Sequence, residues 1–332
     1  MQKRQPGPES RSRLLQRRRL NSIRTTVTFT SAEVHLPIKH VGLRSSSREG
    51  ENVMMRRASS WPCGLIVLLS AAVCCGRSSQ TTTQPASYVL TWSDEFNGAK
   101  GSLPDPSKWI METGGGGWGN NELETYTNRS QNVHVQDGNL VITASKEKYT
   151  GADGIARGYT SARIKTAGLF EQKYGRFEAR IKIPQGQGLW PAFWMLGNNI
   201  DKAAWPACGE IDVMENIGKE PAITHGSMHG PGYSGAKGLT AAYNLPSGKF
   251  ADDFHIFAVE WEAAAVRFYV DGNLYETRTP ADLPAGQAWV FDHPFFILLN
   301  VAVGGGWPGN PDSTTVFPQT MLVDYVRVYS KK

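Results

Sequence analysis

Residues 205–218 read WPACGEIDVMENIG and place three carboxylates, Glu210, Asp212 and Glu215, within six positions. Ile211, Val213 and Met214 between them suit a strand better than a helix. Side chains two apart on a strand share a face, so Glu210 and Asp212 point the same way. Glu215, five residues after Glu210, then points into the opposite face, which should be core, where a lone carboxylate is costly. One extra residue removes the conflict. A β-bulge, placed most naturally at Met214, shifts the phase and returns Glu215 to the side of Glu210 and Asp212. Ile211 and Val213 then face inward, and the strand carries a row of acids on its open face.

The neighbouring segments have the same character. NLVITASK (139–146) alternates, and RFEARIKI (176–183) puts Phe177, Ala179, Ile181 and Ile183 on one face. VRFYVDGNLYE (266–276) reads as a hairpin turning at Asp271-Gly272, and MLVDYVRVYS (321–330) as a closing strand. There is no long amphipathic helix and no internal repeat. Short strands between Gly/Pro-rich turns over 88–330 predict an all-β chain, an antiparallel β-sandwich or jelly roll whose curved outer face forms an open cleft.

The net charge of +5 misleads. Residues 1–77 hold 14 of the 35 Lys/Arg and 4 of the 30 Asp/Glu, which leaves 21 bases against 26 acids from residue 78 onward. A nucleic-acid role based on charge loses its support. Arg56-Arg57 precede GLIVLLSAAVCCG (64–76), a basic segment, a short apolar run and small residues in the order of an export signal. The run is shorter than the roughly 20 residues of a membrane span. Residues 1–53 lack periodicity and turn logic and read as an over-extended gene start or a disordered basic segment, 54–76 as a signal peptide and 77–87 as a polar linker. The expected product is secreted, with Cys74 or Cys75 the candidate for a lipid anchor, although Val73 and Cys74 before them are not the small residues usual there. Cys208 alone remains beyond the export segment, so no internal disulfide is expected.

Paired carboxylates across a groove are the equipment of a glycosidase. A separation of about 5–5.5 Å goes with retention through a covalent intermediate, and roughly 6.5–9.5 Å with inversion by water. Neighbouring positions on one strand favour the closer spacing. The competing reading, a Ca²⁺ site, is poorly served by a straight row of acids, because hard cations take oxygen ligands converging from loops. The Gly-rich runs METGGGGWGNNE (111–122) and VGGGWPGNPD (303–312) lack the Lys-Ser/Thr ending of a phosphate loop.

GEIDVMENIG (209–218) resembles the bulged E-x-D-x-x-E signature of glycoside hydrolase family 16. WSDEFNG, GWGNNELETYT, YTSARIKT, GQGLWPAFWMLG, THGSMHGPGYSG, FHIFAVEW, LLNVAVGGGWPG and VDYVRVY, in that order, each resemble segments of its bacterial laminarinase-type endo-β-1,3-glucanases. The resemblance implies a curved jelly roll and retaining hydrolysis of internal β-1,3 bonds of a β-glucan without a catalytic cofactor. It makes Glu210 the nucleophile, Glu215 the general acid/base and Asp212 the assisting carboxylate. A non-catalytic glucan-binding jelly roll is the alternative from another class, but such relatives typically lose these acids. Mixed-linkage glucan, agarose and carrageenan are the alternative substrates.

Trp190 and Trp194, four apart in LWPAFWML, share a strand face and are candidate platforms for sugar rings. Trp118, Trp205 and Trp307 sit beside Gly or Pro in loops and join them, whereas Trp261, in an apolar strand, reads as core. Asn120 and Arg163 are candidate partners of sugar hydroxyls, and His229 is placed beside the acids. His134, His255 and His293 read as structural. The resemblance further implies a structural Ca²⁺ away from the cleft, held by Glu95, the Gly138 carbonyl and Asp324, and the chain is expected to be a monomer.

Overall fold

The computed structural model describes residues 87–332. The readings of 1–53 and 54–76, and nearly all of the linker, lie outside them. The strands are β1 (Tyr88–Asp94), β2 (Ile110–Glu112), β3 (Glu124–Tyr126), β4 (Val133–Gln136), β5 (Asn139–Thr150), β6 (Ala156–Ser161), β7 (Arg163–Lys165), β8 (Gly175–Lys182) and β9 (Leu189–Gly197). They continue with β10 (Glu210–Glu215), β11 (Ile223–His229), β12 (Leu239–Asn244), β13 (His255–Glu262), β14 (Ala265–Val270), β15 (Asn273–Arg278), β16 (Phe295–Val303) and β17 (Gln319–Lys331). Helix among the described residues is limited to two 3-10 turns, Gly235–Lys237 and Pro280–Asp282.

Two sheets face each other. The larger has the order β15-β14-β13-β8-β17-β5-β6-β3, with β1 added on β17 and β4 on β5; the smaller runs β12-β11-β10-β9-β16-β7-β2. All named pairings are antiparallel except β3 with β6. Alternation explains the layering. Phe177, Ala179 and Ile181 of β8, joined by Ile183 just beyond it, enter the core between the sheets, as do Phe257, Val259 and Trp261 of β13 and Met321 and Val323 of β17. The other face of β8 carries Arg176 and Glu178, which pair with each other at 2.8 Å, and Arg176 also reaches Glu260 at 3.2 Å. The hairpin turns where its sequence demands, with Asp271 at φ 50° and Gly272 at φ 80°, the left-handed pair that joins two strands without splaying them.

The bulge lies in β10. Against β9, Asp212 pairs with Trp194 and Met214 with Phe193, so Val213 is the extra residue in that ladder. Against β11 the register slips between Asp212 and Glu215. Val213 and the expected Met214 together form the bulge in the β11 ladder, and Val213 alone is skipped against β9. Ile211, Val213 and Met214 are all buried in the core, and their combined apolar burial holds both bulged residues inward. Glu215 returns to the outer face opposite Ala192 and His225.

Candidate active site

The smaller sheet curves around a cleft of about 350 Å³. Its register lays the side chains out in rungs. One rung runs Glu112, Arg163, Asn300, Ala192, Glu215, His225 across β2, β7, β16, β9, β10 and β11. The next carries Trp194 beside Asp212, and the third Leu196 beside Glu210 and His229. Ala192 leaves the centre of the first rung low, between the acid on one side and Arg163 and Asn300 on the other.

Glu210, Asp212 and Glu215 all line the cleft, with Trp118, Asn120, Arg163, Trp190, Trp194 and Trp205. Trp190 donates its indole N–H to Glu215 Oε1 at 2.9 Å, and Trp205, 46% exposed, donates to Glu210 Oε2 at 2.6 Å. Two tryptophans expected as sugar platforms are thus also hydrogen-bond donors to the acids. His229 stands beneath, its Nε2 3.0 Å from Asp212 Oδ2 and 3.9 Å from Glu210 Oε1. Gly238 makes room for it, since a Cβ there would come within 2.3 Å of the imidazole. Burial, and then the charge of Glu210, push Glu215 up to about 7, with His229 and the Trp190 indole opposing. Asp212 is raised by its burial and by Glu215. Glu210 is raised by burial and by Asp212, against the pull of His229 and the Trp205 indole. Crowding three carboxylates into one cleft disfavours ionising all of them together.

Arg163 has a second part beside lining the cleft. Its guanidinium lies 4.8 and 4.7 Å from the ring centroids of Trp118 and Trp194, and its Nε donates to Glu112 at 2.5 Å. It steadies two aromatic walls by cation–π contact. Asn120 donates from Nδ2 to Glu122 Oε1 at 3.1 Å. Trp307, 37% exposed, packs edge-on against Trp190 at 5.5 Å and His225 at 5.0 Å. Trp261 is buried in the core and donates to the Phe291 carbonyl. His134, His255 and His293 bond to Ser130 O, Asp271 and Cys208 O, remote in role from the acids. Cys208 is a buried free thiol.

The expected cation ligands are otherwise engaged. Both oxygens of Glu95 accept from Arg327, at 2.9 and 2.8 Å, and Asp324 Oδ2 accepts from Arg180 at 2.9 Å. Guanidinium groups thus pair with both carboxylates.

Glu122 and Asn300 also line the cleft and were not singled out from the sequence. Asn300 accepts from Trp194 Nε1 at 2.7 Å and donates to Tyr126 Oη at 3.2 Å; Tyr126 donates to Glu122 Oε2 at 3.0 Å. The signal for Asn300 was present, a lone amide in the apolar run FFILLNVAV (295–303).

The model of glycosyl hydrolases family 16 matches residues 120–327. A beta-glucanase of Rhodothermus marinus is 40% identical over 285 residues, covering 83% of this chain and 95% of its own. The laminarinase catalytic domain of Thermotoga maritima aligns at 50% identity with a TM-score of 0.71, over 74% of this chain and 99% of its own. The endo-beta-1,3-glucanase of Pyrococcus furiosus does so at 51% identity and 0.71, over 74% and 95%. With the bulged strand, its three acids and Trp190, Trp194 and Trp205 falling inside the matched span, the chain belongs to glycosyl hydrolases family 16.

Proposed function

We propose that this chain hydrolyses internal β-1,3-glucosidic bonds of laminarin-like β-glucans with retention of configuration. The observation that carries the reading is the bulge of β10, which sets Glu210 and Glu215 on one cleft face, each holding an indole N–H. Relatives named laminarinase and endo-1,3-beta-glucanase support the substrate.

Glu210 is assigned as nucleophile. Burial and then Asp212 hold its carboxyl well above the usual range, whereas the facing His229 and the shorter indole hydrogen bond pull it toward the anion. Its place as first acid of the family motif carries the assignment. Its attack on the anomeric carbon forms a glycosyl-enzyme as the C–O bond to the leaving sugar breaks. Glu215, raised to about 7, carries the proton that the departing oxygen takes. As a carboxylate it then removes a proton from water, and the water oxygen releases the sugar from Glu210. Asp212, 2% exposed between them, adjusts the proton balance of the pair. Trp118, Trp190, Trp194 and Trp205 give flat faces to sugar rings. Two carboxylates suffice for this chemistry, which needs no cofactor, and no structural cation is part of the proposal.

Product analysis on laminarin, lichenan and agarose, with NMR of the first anomer released, tests the reading. Laminari-oligosaccharides that appear first as the β-anomer are expected. An α-anomer at first appearance overturns retention, and turnover of lichenan or agarose without laminarin overturns the substrate. Export and a monomeric state belong to the same proposal and rest on the sequence; among the described residues no helix is long and apolar enough to cross a membrane. N-terminal sequencing of secreted protein should find a start between Cys74 and Ala86, and a start within residues 1–53 would refute the export reading.

A further inference from the structure

The cleft wall opposite the three acids hides a second carboxyl pair. Glu124, the first residue of β3, is fully buried, and Glu122 two residues earlier is 8% exposed at the cleft. Glu122 is an acceptor at both oxygens, from Asn120 Nδ2 at 3.1 Å and Tyr126 Oη at 3.0 Å. Glu124 is half satisfied. Its Oε2 accepts from the Val303 N–H at 2.7 Å, whereas its Oε1 meets no donor at all. The side chain beside it is the carboxyl of Glu122, itself already acting as an acceptor. Two carboxylate oxygens cannot bond to one another without a proton, and an ionised Glu124 would leave a buried charge with one hydrogen bond.

The surroundings offer no replacement for that proton. Tyr159 of β6 is the register partner of Glu124, and Arg157 on the same strand is paired with Asp153 at 2.7 Å. Arg163 of β7 is paired with Glu112, Tyr126 of β3 donates to Glu122, and β16 contributes the main-chain N–H of Val303. Burial first, and then the charge of Glu122, hold Glu124 well above the usual carboxylate range.

We propose that Glu124 is a positioning residue that stays protonated and donates its proton to Glu122, fixing the orientation of Glu122 as an acceptor for sugar hydroxyls on the cleft wall. The chain of hydrogen bonds then runs from Glu124 through Glu122, Tyr126 and Asn300 to Trp194, so one buried proton orders an acid, an amide and an aromatic wall that face the ligand. The proposal rests on the reading of the cleft as a glycan site.

Glu124→Gln and Glu124→Leu test it, each measured for KM, kcat and melting temperature across pH. Gln is a neutral donor of the same shape, so KM and kcat should stay within about twofold of the parent, as expected when a hydrogen bond is kept. Leu offers no donor and should raise KM about tenfold, the loss of one hydrogen bond to a charged group, with kcat less affected. The melting series reads the proton itself. If Glu124 keeps its proton on folding, the parent loses more stability than Glu124→Gln as pH rises above the unfolded carboxyl value. The gap in melting temperature between Glu124→Gln and parent should therefore grow from pH 4 to pH 8. A gap independent of pH, a KM for Glu124→Gln as high as that for Glu124→Leu, or a Glu124→Gln protein that does not fold would each overturn the proposal. A parent inactive on laminarin would overturn the glucan reading instead and leave the melting series interpretable.

Discussion

Each acid of β10 takes its role from the donors around it. Trp205 and Trp190 give their indole N–H groups to Glu210 and Glu215 respectively, and each bond favours the carboxylate over the acid. Removing either donor raises the pKa of its own acid. Trp205→Phe should then move the acidic limb of kcat/KM to higher pH, because the nucleophile is protonated sooner. Trp190→Phe should move the alkaline limb upward from about 7, because Glu215 keeps its proton longer. The expected displacement is about one pH unit, the worth of one charge-assisted hydrogen bond. A Trp205→Phe profile that shifts the alkaline limb and a Trp190→Phe profile that shifts the acidic one would reverse the assignments of Glu210 and Glu215. Sequence spacing singled out the three acids but not these indole bonds, since Trp190 is 25 residues from Glu215 and meets it by strand pairing.

At the scale of elements, the floor of the site depends on how closely β11 approaches the opposite sheet. Gly226 of β11 lies over β14 and β15, and a Cβ there would stand 2.5 Å from Tyr275 Oη and 2.6 Å from Phe268 Cδ1. Gly226→Ala should lower stability by about 1–3 kcal/mol through overpacking, measured by chemical denaturation. Its neighbour His225 lies opposite Glu215 in the pairing of β10 and β11, so activity should fall as well. An unchanged unfolding midpoint would show that the sheets separate without cost. The outer edge behaves differently. Glu95 follows β1 and Arg327 lies in β17, so their two-pronged pair clips the ends of the folded region together without a metal. Exhaustive chelation should leave the melting temperature unchanged. A fall on chelation that added Ca²⁺ reverses would restore the cation expected at Glu95, Gly138 and Asp324.

Across the whole molecule, buried acids set the pH of greatest stability. Glu276 is pushed up to about 7 by burial, against Arg278 at 2.6 Å, and Glu124, Asp212 and Glu215 are raised as well. A raised carboxyl means that the folded chain binds more protons than the unfolded one between about 4.5 and the folded value, so stability falls as pH rises through that window. Glu112, Glu147 and Glu262 are held low by basic partners and lose their contribution as pH falls below about 4. The melting temperature should therefore peak near pH 5, and Glu276→Gln should narrow the difference between pH 5 and pH 8. A maximum above pH 8 would contradict the burial of these groups. The sequence by itself determined the all-β class, the hairpin at Asp271-Gly272, the bulge and the common face of Glu210, Asp212 and Glu215. Each follows from local periodicity and from the cost of burying charge, which a short window of residues contains. The tertiary structure alone decided that Arg163 contacts the rings of both Trp118 and Trp194, that Trp307 packs against Trp190 and His225, that Glu95 and Asp324 pair with arginines, and that Glu122, Tyr126 and Asn300 join one network. Those outcomes depend on partners tens to hundreds of residues apart, brought together by the order and register of strands, and periodicity along the chain carries no record of them.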